Sequence, residues 1–128
     1  MKKLVIDNGL LLTDMKLVFN RRMLGLQRVL VDTGSGSTIV SIDLAEEIGV
    51  IAEENNMIYR ISGVGGSEFV YSKTVDSVRI GDMQTKDFAI EIGAMNYGFD
   101  LEGKIGLDLL QRLKVVINVN KLTIESDW

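Results

Sequence analysis

Residues 29–35 read Val-Leu-Val-Asp-Thr-Gly-Ser, and the interpretation of the whole chain depends on this stretch. The three apolar residues predict a strand that carries the carboxylate of Asp32 into a turn. Gly34 allows that turn to bend sharply. Asp, Ser and Gly are also the usual turn residues, so the stretch by itself is better explained as a simple turn at a strand end. A chemical role for Asp32 therefore needs support from other parts of the chain.

The composition removes many kinds of chemistry. The 128 residues include no Cys and no His, which excludes disulfides, thiolate nucleophiles, His-based triads and metal sites built from thiolate or imidazole. A carboxylate site for magnesium or calcium stays compatible with the sequence, but we expect neither a metal nor a cofactor. The net charge of −4 argues against nucleic-acid binding. Any acid–base group must then be Asp, Glu, Lys or Tyr.

The hydrophobic pattern predicts a mostly β fold. Short apolar or alternating runs are separated by turn residues, which is typical of strands. The Asn8-Gly9 pair is comfortable at positive φ and predicts a tight hairpin between residues 5–7 and 10–12. Further strands are predicted at residues 15–19, 26–31, 38–40, 57–64, 68–71, 75–80, 88–92, 115–118 and 122–124.

Two short helices are expected among the strands. Ser41 is a candidate N-cap of the first, with Gly49 as its end, and the second covers residues 107–113. The chain has no Pro, linker or low-complexity segment, so we expect residues 1–128 to form a single domain. No apolar run approaches the roughly 20 residues that span a bilayer, and Asp7 ends the first run too early for a signal peptide. We therefore expect a soluble, cytoplasmic protein.

Three motifs resemble those of one protein family. Residues 30–35, Leu-Val-Asp-Thr-Gly-Ser, resemble the active-site motif of aspartic proteases, in which two apolar residues precede Asp-Thr-Gly and then Ser or Ala. Residues 104–110, Lys-Ile-Gly-Leu-Asp-Leu-Leu, resemble the family's second signature, where a Gly precedes a helix. Between them, residues 61–66, Ile-Ser-Gly-Val-Gly-Gly, resemble the glycine-rich flap. Together with residues 115–124, which resemble a closing hairpin, the motifs follow the order of retropepsin-like aspartic proteases of the bacterial or DNA-damage-inducible single-domain type.

The resemblance implies a fold, an activity and an assembly. The fold would be a closed, acid-protease β-barrel lobe with one or two short helices. The activity would be that of an aspartic endopeptidase acting on a peptide or protein, in which one carboxylate activates water and a second, protonated one donates to the substrate carbonyl. The chain has one Asp-Thr-Gly, so a homodimer would bring Asp32 of each copy to the two-fold axis. Val5-Ile6 and residues 122–124, near the chain ends, would be the interface strands.

The same resemblance assigns roles to individual residues. Asp32 would be catalytic, Thr33 would hydrogen-bond across the dimer axis, and Gly34 would let the backbone approach both carboxylates. Ser35 would bind the outer carboxylate oxygen or serve only as a polar turn residue. The segment 61–66 would close over the substrate as a flap or form a plain hairpin turn. The substrate-binding residues would be Ser35, Ile61, Gly63, Val64, Gly65 and Gly66.

Three further sites are interpreted as structural. Gly106 carries no reactive group and is expected to be a close-packing point under the active-site loop. Asp108 is expected to face solvent or to cap the second helix rather than to catalyse. Asp7-Asn8-Gly9 could be a second copy of the motif, but it lacks the hydroxyl residue and is better explained as the hairpin turn. A faint internal echo relates residues 30–32 to residues 104–106.

Two other functions compete with proteolysis. Residues 32–38 also resemble the phosphate loop of actin-like and sugar-kinase-like ATPases, but those folds need two lobes and place the loop in their first hairpin. A non-catalytic, dimeric peptide-binding module of the same fold is the other alternative. The intact Asp-Thr-Gly argues against it, because a retired site has no need for that carboxylate.

Overall fold

The computed structural model describes residues 1–53, 58–63, 66–95 and 100–127. Within them the helices are α1 (Ile42–Glu46) and α2 (Leu107–Arg112). The strands are β1 (Lys2–Lys3), β2 (Val5–Asp7), β3 (Leu10–Phe19), β4 (Arg22–Val31), β5 (Ile39–Ser41), β6 (Ile58–Gly63), β7 (Gly66–Ile80), β8 (Met83–Gly93), β9 (Gly103–Ile105), β10 (Val115–Asn118) and β11 (Thr123–Ser126). The prediction of a mostly β fold with two short helices is confirmed.

The larger of two sheets closes on itself. Its strand order is β2-β3-β4-β9-β5-β8-β7-β6, and β3 also pairs with β7. The additional pairing, which matches Leu17 with Val78, makes a closed circuit of the strands from β3 round to β7. Its interior holds the core, whose fully buried residues include Met15, Leu17, Leu26, Val29, Val40, Ile90, Ile92 and Ile105.

The first hairpin has the geometry that its turn residues predict. Asn8 and Gly9 have φ values of 52° and 75°, so both lie in the left-handed region that a tight hairpin turn requires. The strands on either side pair as Val5 with Leu12 through Asp7 with Leu10. Asp7 itself forms an ion pair with Arg28, with 2.9 Å between Oδ2 and Nη1. Asp7 is thus a hairpin residue with a structural partner.

The smaller sheet bears on one half of the expectation about the chain ends, that for residues 122–124. Its order is β1-β11-β10, so β11 lies in the middle and both of its backbone edges are paired within the chain. Ile124, in β11, is fully buried. Residues 122–124 therefore do not offer a free strand to a second copy, whereas β1, β2 and β10 are edge strands among the described residues. Val5 and Ile6, in β2, keep a free edge there.

A β-bulge lies in β4 shortly before Asp32. Thr13 pairs with Val29 and Met15 with Leu26, so Gln27 and Arg28 together lie opposite one residue of β3. The N–H groups of Gln27 and Arg28 both donate to Oε1 of Glu102, at 3.1 and 3.2 Å. One carboxylate oxygen from a distant segment therefore accepts the hydrogen bonds of both bulge residues. These bonds fix the direction in which β4 continues after the bulge.

The helices begin and end close to their predicted limits. Ser41 occupies the N-cap position of α1, but its side chain makes no capping hydrogen bond, so the mechanism expected for it is wrong. Gly49 has a φ of 83° and follows the helix, as a terminating glycine does. Within the described residues, neither helix is long and apolar enough to cross a membrane.

Candidate active site

Two parallel strands determine where Asp32 emerges from the sheet. β4 pairs with β9 in the register Leu30 with Lys104 and Val31 with Ile105. The pairing continues past the strand end, because the Asp32 N–H donates to the Ile105 carbonyl at 2.9 Å. The two segments of the faint sequence echo thus lie side by side. Since Val29 and Ile105 are fully buried, Asp32 directly follows strands that are packed in the core.

The loop after β4 holds the carboxylate of Asp32 in one orientation. The Gly34 N–H donates to Asp32 Oδ1 at 2.9 Å, and the Ser35 N–H donates to the Asp32 carbonyl at 3.2 Å. A Cβ at position 34 would lie 3.2 Å from Oδ1, so a larger residue there would press on the carboxylate. Asp32 is half-buried, and within the described part of the chain no group donates to Oδ2. The second oxygen is therefore available to water or to another group.

Thr33 and Ser35 have different surroundings within this loop. Thr33 is exposed and borders a groove of about 330 Å³, whose other lining residues are Leu107, Leu110, Gln111, Lys114, Val115, Ile117 and Asp127. Ser35 Oγ donates to the Ser37 carbonyl at 2.9 Å. The hydrogen bond expected from Ser35 to the carboxylate is therefore not formed, because its hydroxyl hydrogen is used within the turn.

Gly106 packs against the loop as closely as expected. A Cβ at this position would overlap the backbone of Ser37, with its carbonyl carbon at 2.6 Å and its nitrogen at 2.8 Å. Real Cβ atoms do not approach backbone atoms so closely. The next residue, Leu107, donates its N–H to the Ser35 carbonyl at 2.8 Å. The start of α2 is therefore fitted directly beneath the Asp32 loop.

Asp108 makes one kind of contact that the sequence predicts and a second kind that it does not. Its Oδ1 accepts the Leu109 N–H at 2.7 Å, which confirms the capping alternative. The same oxygen also accepts the Thr38 hydroxyl at 2.7 Å, and Oδ2 accepts the Thr38 N–H at 3.3 Å. Asp108 is half-buried between these groups rather than directed into solvent. Thr38, which is fully buried, was missed because a Thr after a polar turn carries no distinctive pattern.

The segment that resembles a flap forms a hairpin, as its backbone pairing shows. β6 and β7 pair antiparallel, with Ile61 opposite Glu68 and Gly63 opposite Gly66. Among the described residues, β6 is the outermost strand of the larger sheet and has one edge without a partner strand. Val64 and Gly65 lie outside the described residues, as does the side chain of Ile61. Their contact with a substrate stays a prediction.

Tyr71 is poorly suited to act as a base. Burial, and to a smaller extent the nearby Glu46, raises the pKa of Tyr71, whose hydroxyl donates to the Val50 carbonyl at 3.5 Å. A raised pKa keeps the phenol protonated at neutral pH and removes it as a base. Among the described residues, no three carboxylates come together to form a metal site.

Comparison with known proteins agrees with this geometry. The family model for aspartyl proteases matches residues 24–109, which is more than half of the chain. The matched region contains most of β4, the Asp32 loop, the β6–β7 hairpin and the start of α2. A search of curated proteins found no match. On the strength of the family match, this chain belongs to the aspartyl protease family, as a retropepsin-like member.

Proposed function

We propose that this chain is an aspartic endopeptidase whose active site forms between two copies. In each dimer, Asp32 and the partner subunit's Asp32 would share one water molecule and one proton. The observation that carries the proposal is the presentation of Asp32, with Oδ1 held by the Gly34 N–H and Oδ2 without a donor in the described residues. A carboxylate with one oxygen oriented by the backbone can direct its other oxygen at water.

The reaction needs the two carboxylates in different protonation states, one ionised and one protonated. Two carboxylates within hydrogen-bonding distance cannot both ionise, so the pair retains a proton. The ionised member takes a proton from water as the water oxygen attacks the peptide carbonyl carbon. The protonated member gives its proton to the carbonyl oxygen, which yields a diol. Proton transfer to the amide nitrogen then accompanies cleavage of the C–N bond and releases an acid and an amine.

The second carboxylate must come from another chain. Asp-Thr-Gly occurs once in the sequence, and Asp7, the other candidate, lies in a hairpin and is paired with Arg28. For two copies of Asp32 to meet, a two-fold axis must pass close to this residue. Thr33 precedes the oriented Gly34 and is exposed, so its hydroxyl is a candidate for contact across that axis.

The surface around Thr33 fits an interface between copies. The groove that borders Thr33 includes Leu107, and the nearby β10 ends the smaller sheet with an edge that no other described strand pairs with. Leu107 and Val116 are 40% and 43% exposed. Apolar side chains beside a free strand edge are suited to isologous pairing about a two-fold axis. We therefore place the interface at β10 and this groove rather than at β11.

The substrate would be an extended peptide. A chain lying between the Asp32 loop and the β6–β7 hairpin could pair with backbone groups of the hairpin, which is how strands recognise peptides. The residues proposed to contact it are Ser35, Ile61, Gly63, Val64, Gly65 and Gly66.

Activity per chain is expected to fall on dilution. Below the dissociation constant the dimer concentration varies with the square of the chain concentration, so specific activity should fall about tenfold for each tenfold dilution. The measurement is cleavage of a fluorogenic peptide over a range of protein concentrations, with sedimentation at the same concentrations. A sedimenting monomer that still cleaves peptides at full specific activity would refute the shared site.

The rate is expected to follow a bell-shaped pH profile on the acid side of neutrality. A dyad that needs one proton loses activity when the pair is fully ionised and also when it is fully protonated. The profile is measured as kcat/KM against pH, with unfolding followed in parallel to exclude acid denaturation. A rate that continues to rise into alkaline pH would instead indicate a Lys or Tyr base.

A further inference from the structure

The Thr38 hydroxyl lies at the centre of a short hydrogen-bond relay. It accepts the Gly106 N–H at 3.1 Å and lies 2.7 Å from Oδ1 of Asp108. An amide N–H can only donate, and a hydroxyl has one hydrogen, so that hydrogen is directed at the carboxylate. Asp108 also accepts the N–H groups of Thr38 and Leu109. Both functions of the buried hydroxyl are thus occupied, and the carboxylate accepts three hydrogen bonds.

This relay is one of several ties between the Asp32 loop and the segment 105–109. The first tie joins the Asp32 N–H to the Ile105 carbonyl, and the second joins the Leu107 N–H to the Ser35 carbonyl. The third joins Thr38, at the far end of the loop, to Gly106 and Asp108. The first two use only backbone atoms. Among the described residues, the hydrogen bonds that link these two segments through side chains are those of Thr38 and Asp108.

We propose that Asp108 is a positioning residue that acts through Thr38 to hold the Asp32 loop in its reactive geometry. The inference rests on the proposed function, since it names a residue that supports the same site. Without the Asp108 carboxylate, the backbone ties at Asp32 and Ser35 remain, but the end of the loop at Thr38 loses its hydrogen bonds to α2 and can shift. Gly34, which orients Asp32 Oδ1, belongs to the same loop. A misplacement of about 1 Å in a catalytic group can cost roughly 100-fold in rate.

The four substitutions at positions 38 and 108 differ in how many hydrogen bonds of the relay they preserve. Ala at position 108 removes all three acceptor contacts, and Val at position 38 removes the hydroxyl while keeping the shape of Thr. Asn at position 108 keeps an oxygen for Thr38 Oγ and Leu109 N, but its amide group faces the Thr38 N–H. Ser at position 38 keeps the whole relay. Activity should therefore rank from wild type and Thr38→Ser, through Asp108→Asn, to Asp108→Ala and Thr38→Val.

The test compares these four variants with Asp43→Ala. Asp43 is the second residue of α1 as Asp108 is the second residue of α2, and it is exposed. We expect Asp108→Ala and Thr38→Val to lower kcat by about 10- to 100-fold with KM changed less than about threefold. Thr38→Ser should retain wild-type kcat, and Asp43→Ala should leave it unchanged. Each kcat is measured well below the melting temperature of its variant, so that the unfolded fraction does not contribute.

Hydrogen exchange supplies a readout that does not depend on catalysis. The amides of Gly34 and Leu107 should exchange faster in Asp108→Ala than in wild type, while amides of β8 keep their protection. If Asp108→Ala does not fold, Asp108→Asn and Thr38→Val carry the same comparison.

Three results would overturn the proposal. In the first, melting temperatures fall but kcat of the folded protein is unchanged, which indicates a purely structural contact. In the second, Asp108→Ala lowers kcat and Thr38→Val does not, so that Asp108 does not act through Thr38. In the third, the Gly34 and Leu107 amides exchange as in wild type. A wild-type protein that cleaves no peptide would refute the proposed function, and the exchange rates would still decide whether Asp108 holds the loop.

Discussion

Asp32→Asn is expected to abolish peptide cleavage almost completely. The amide oxygen can still accept the Gly34 N–H, so the loop keeps its geometry while the ionisable group disappears. Loss of a general base costs typically 10²–10⁴-fold in rate, on the order of 3–5 kcal/mol. In a symmetric dimer one substitution removes both carboxylates, which places the loss at or beyond the upper end of that range. The measurement is kcat/KM on a peptide substrate at the pH optimum.

Folding and assembly of this variant should survive, because an amide pair relieves the repulsion between two close carboxylates. Asp43→Asn is the matched control and should retain wild-type turnover, since Asp43 is exposed on α1. Asp108→Asn would not be a neutral control, because Asp108 binds Thr38. A transition-state-mimicking hydroxyl peptide such as pepstatin should bind wild type and not Asp32→Asn. Retention of activity in a properly folded Asp32→Asn protein would refute the assignment of Asp32.

Gly106→Ala is expected to have the largest effect on stability. Its Cβ would overlap the Ser37 backbone, which cannot move aside by changing a rotamer. Forcing an atom into a packed site costs typically about 1–3 kcal/mol, which corresponds to a fall of roughly 4–15 °C in melting temperature. Since the displaced segment is the Asp32 loop, peptide cleavage should fall as well. Thermal unfolding by circular dichroism measures the first effect.

Gly25→Ala is the matched control for that substitution. Gly25 lies in β4, is exposed, and has no atom within 4 Å of the position that its Cβ would take. Its melting temperature should stay close to that of wild type. If Gly106→Ala unfolded at the wild-type temperature, α2 and the loop would be less tightly packed than the structure indicates.

The sequence predicts local features of the fold where a few neighbouring residues determine them. Asn8-Gly9 predicts a hairpin because both residues adopt positive φ easily, and the hairpin is present. The apolar spacing of residues 107–113 is helical and predicts α2. The predicted helix starts where α2 starts and ends one residue later. Ser41 shows the limit of such rules, because its position was right and its capping hydrogen bond is absent.

For the motif residues, the sequence predicts where the site lies more reliably than it predicts each residue's contacts. Sequence reasoning identified Asp32, Gly34 and Gly106 as parts of one site, and the structure brings all three to the ends of the paired strands β4 and β9. Their proposed roles in catalysis, and that of Thr33, stay predictions. Of the two roles predicted for Ser35, its hydrogen bond to Ser37 agrees with the polar turn residue and not with the carboxylate contact.

The sequence by itself determined the mostly β fold, the turns, the second helix and the stretch that carries Asp32, because alternation and turn chemistry act over two to seven residues. Tertiary structure alone decided that β4 lies beside β9, that Glu102 satisfies the bulge before Asp32, and that β11 lies between β1 and β10. It also decided that Asp108 holds Thr38, a residue 70 positions away. Such contacts follow from how the strands close around a shared core, and no local pattern encodes which distant donor will reach a given carboxylate.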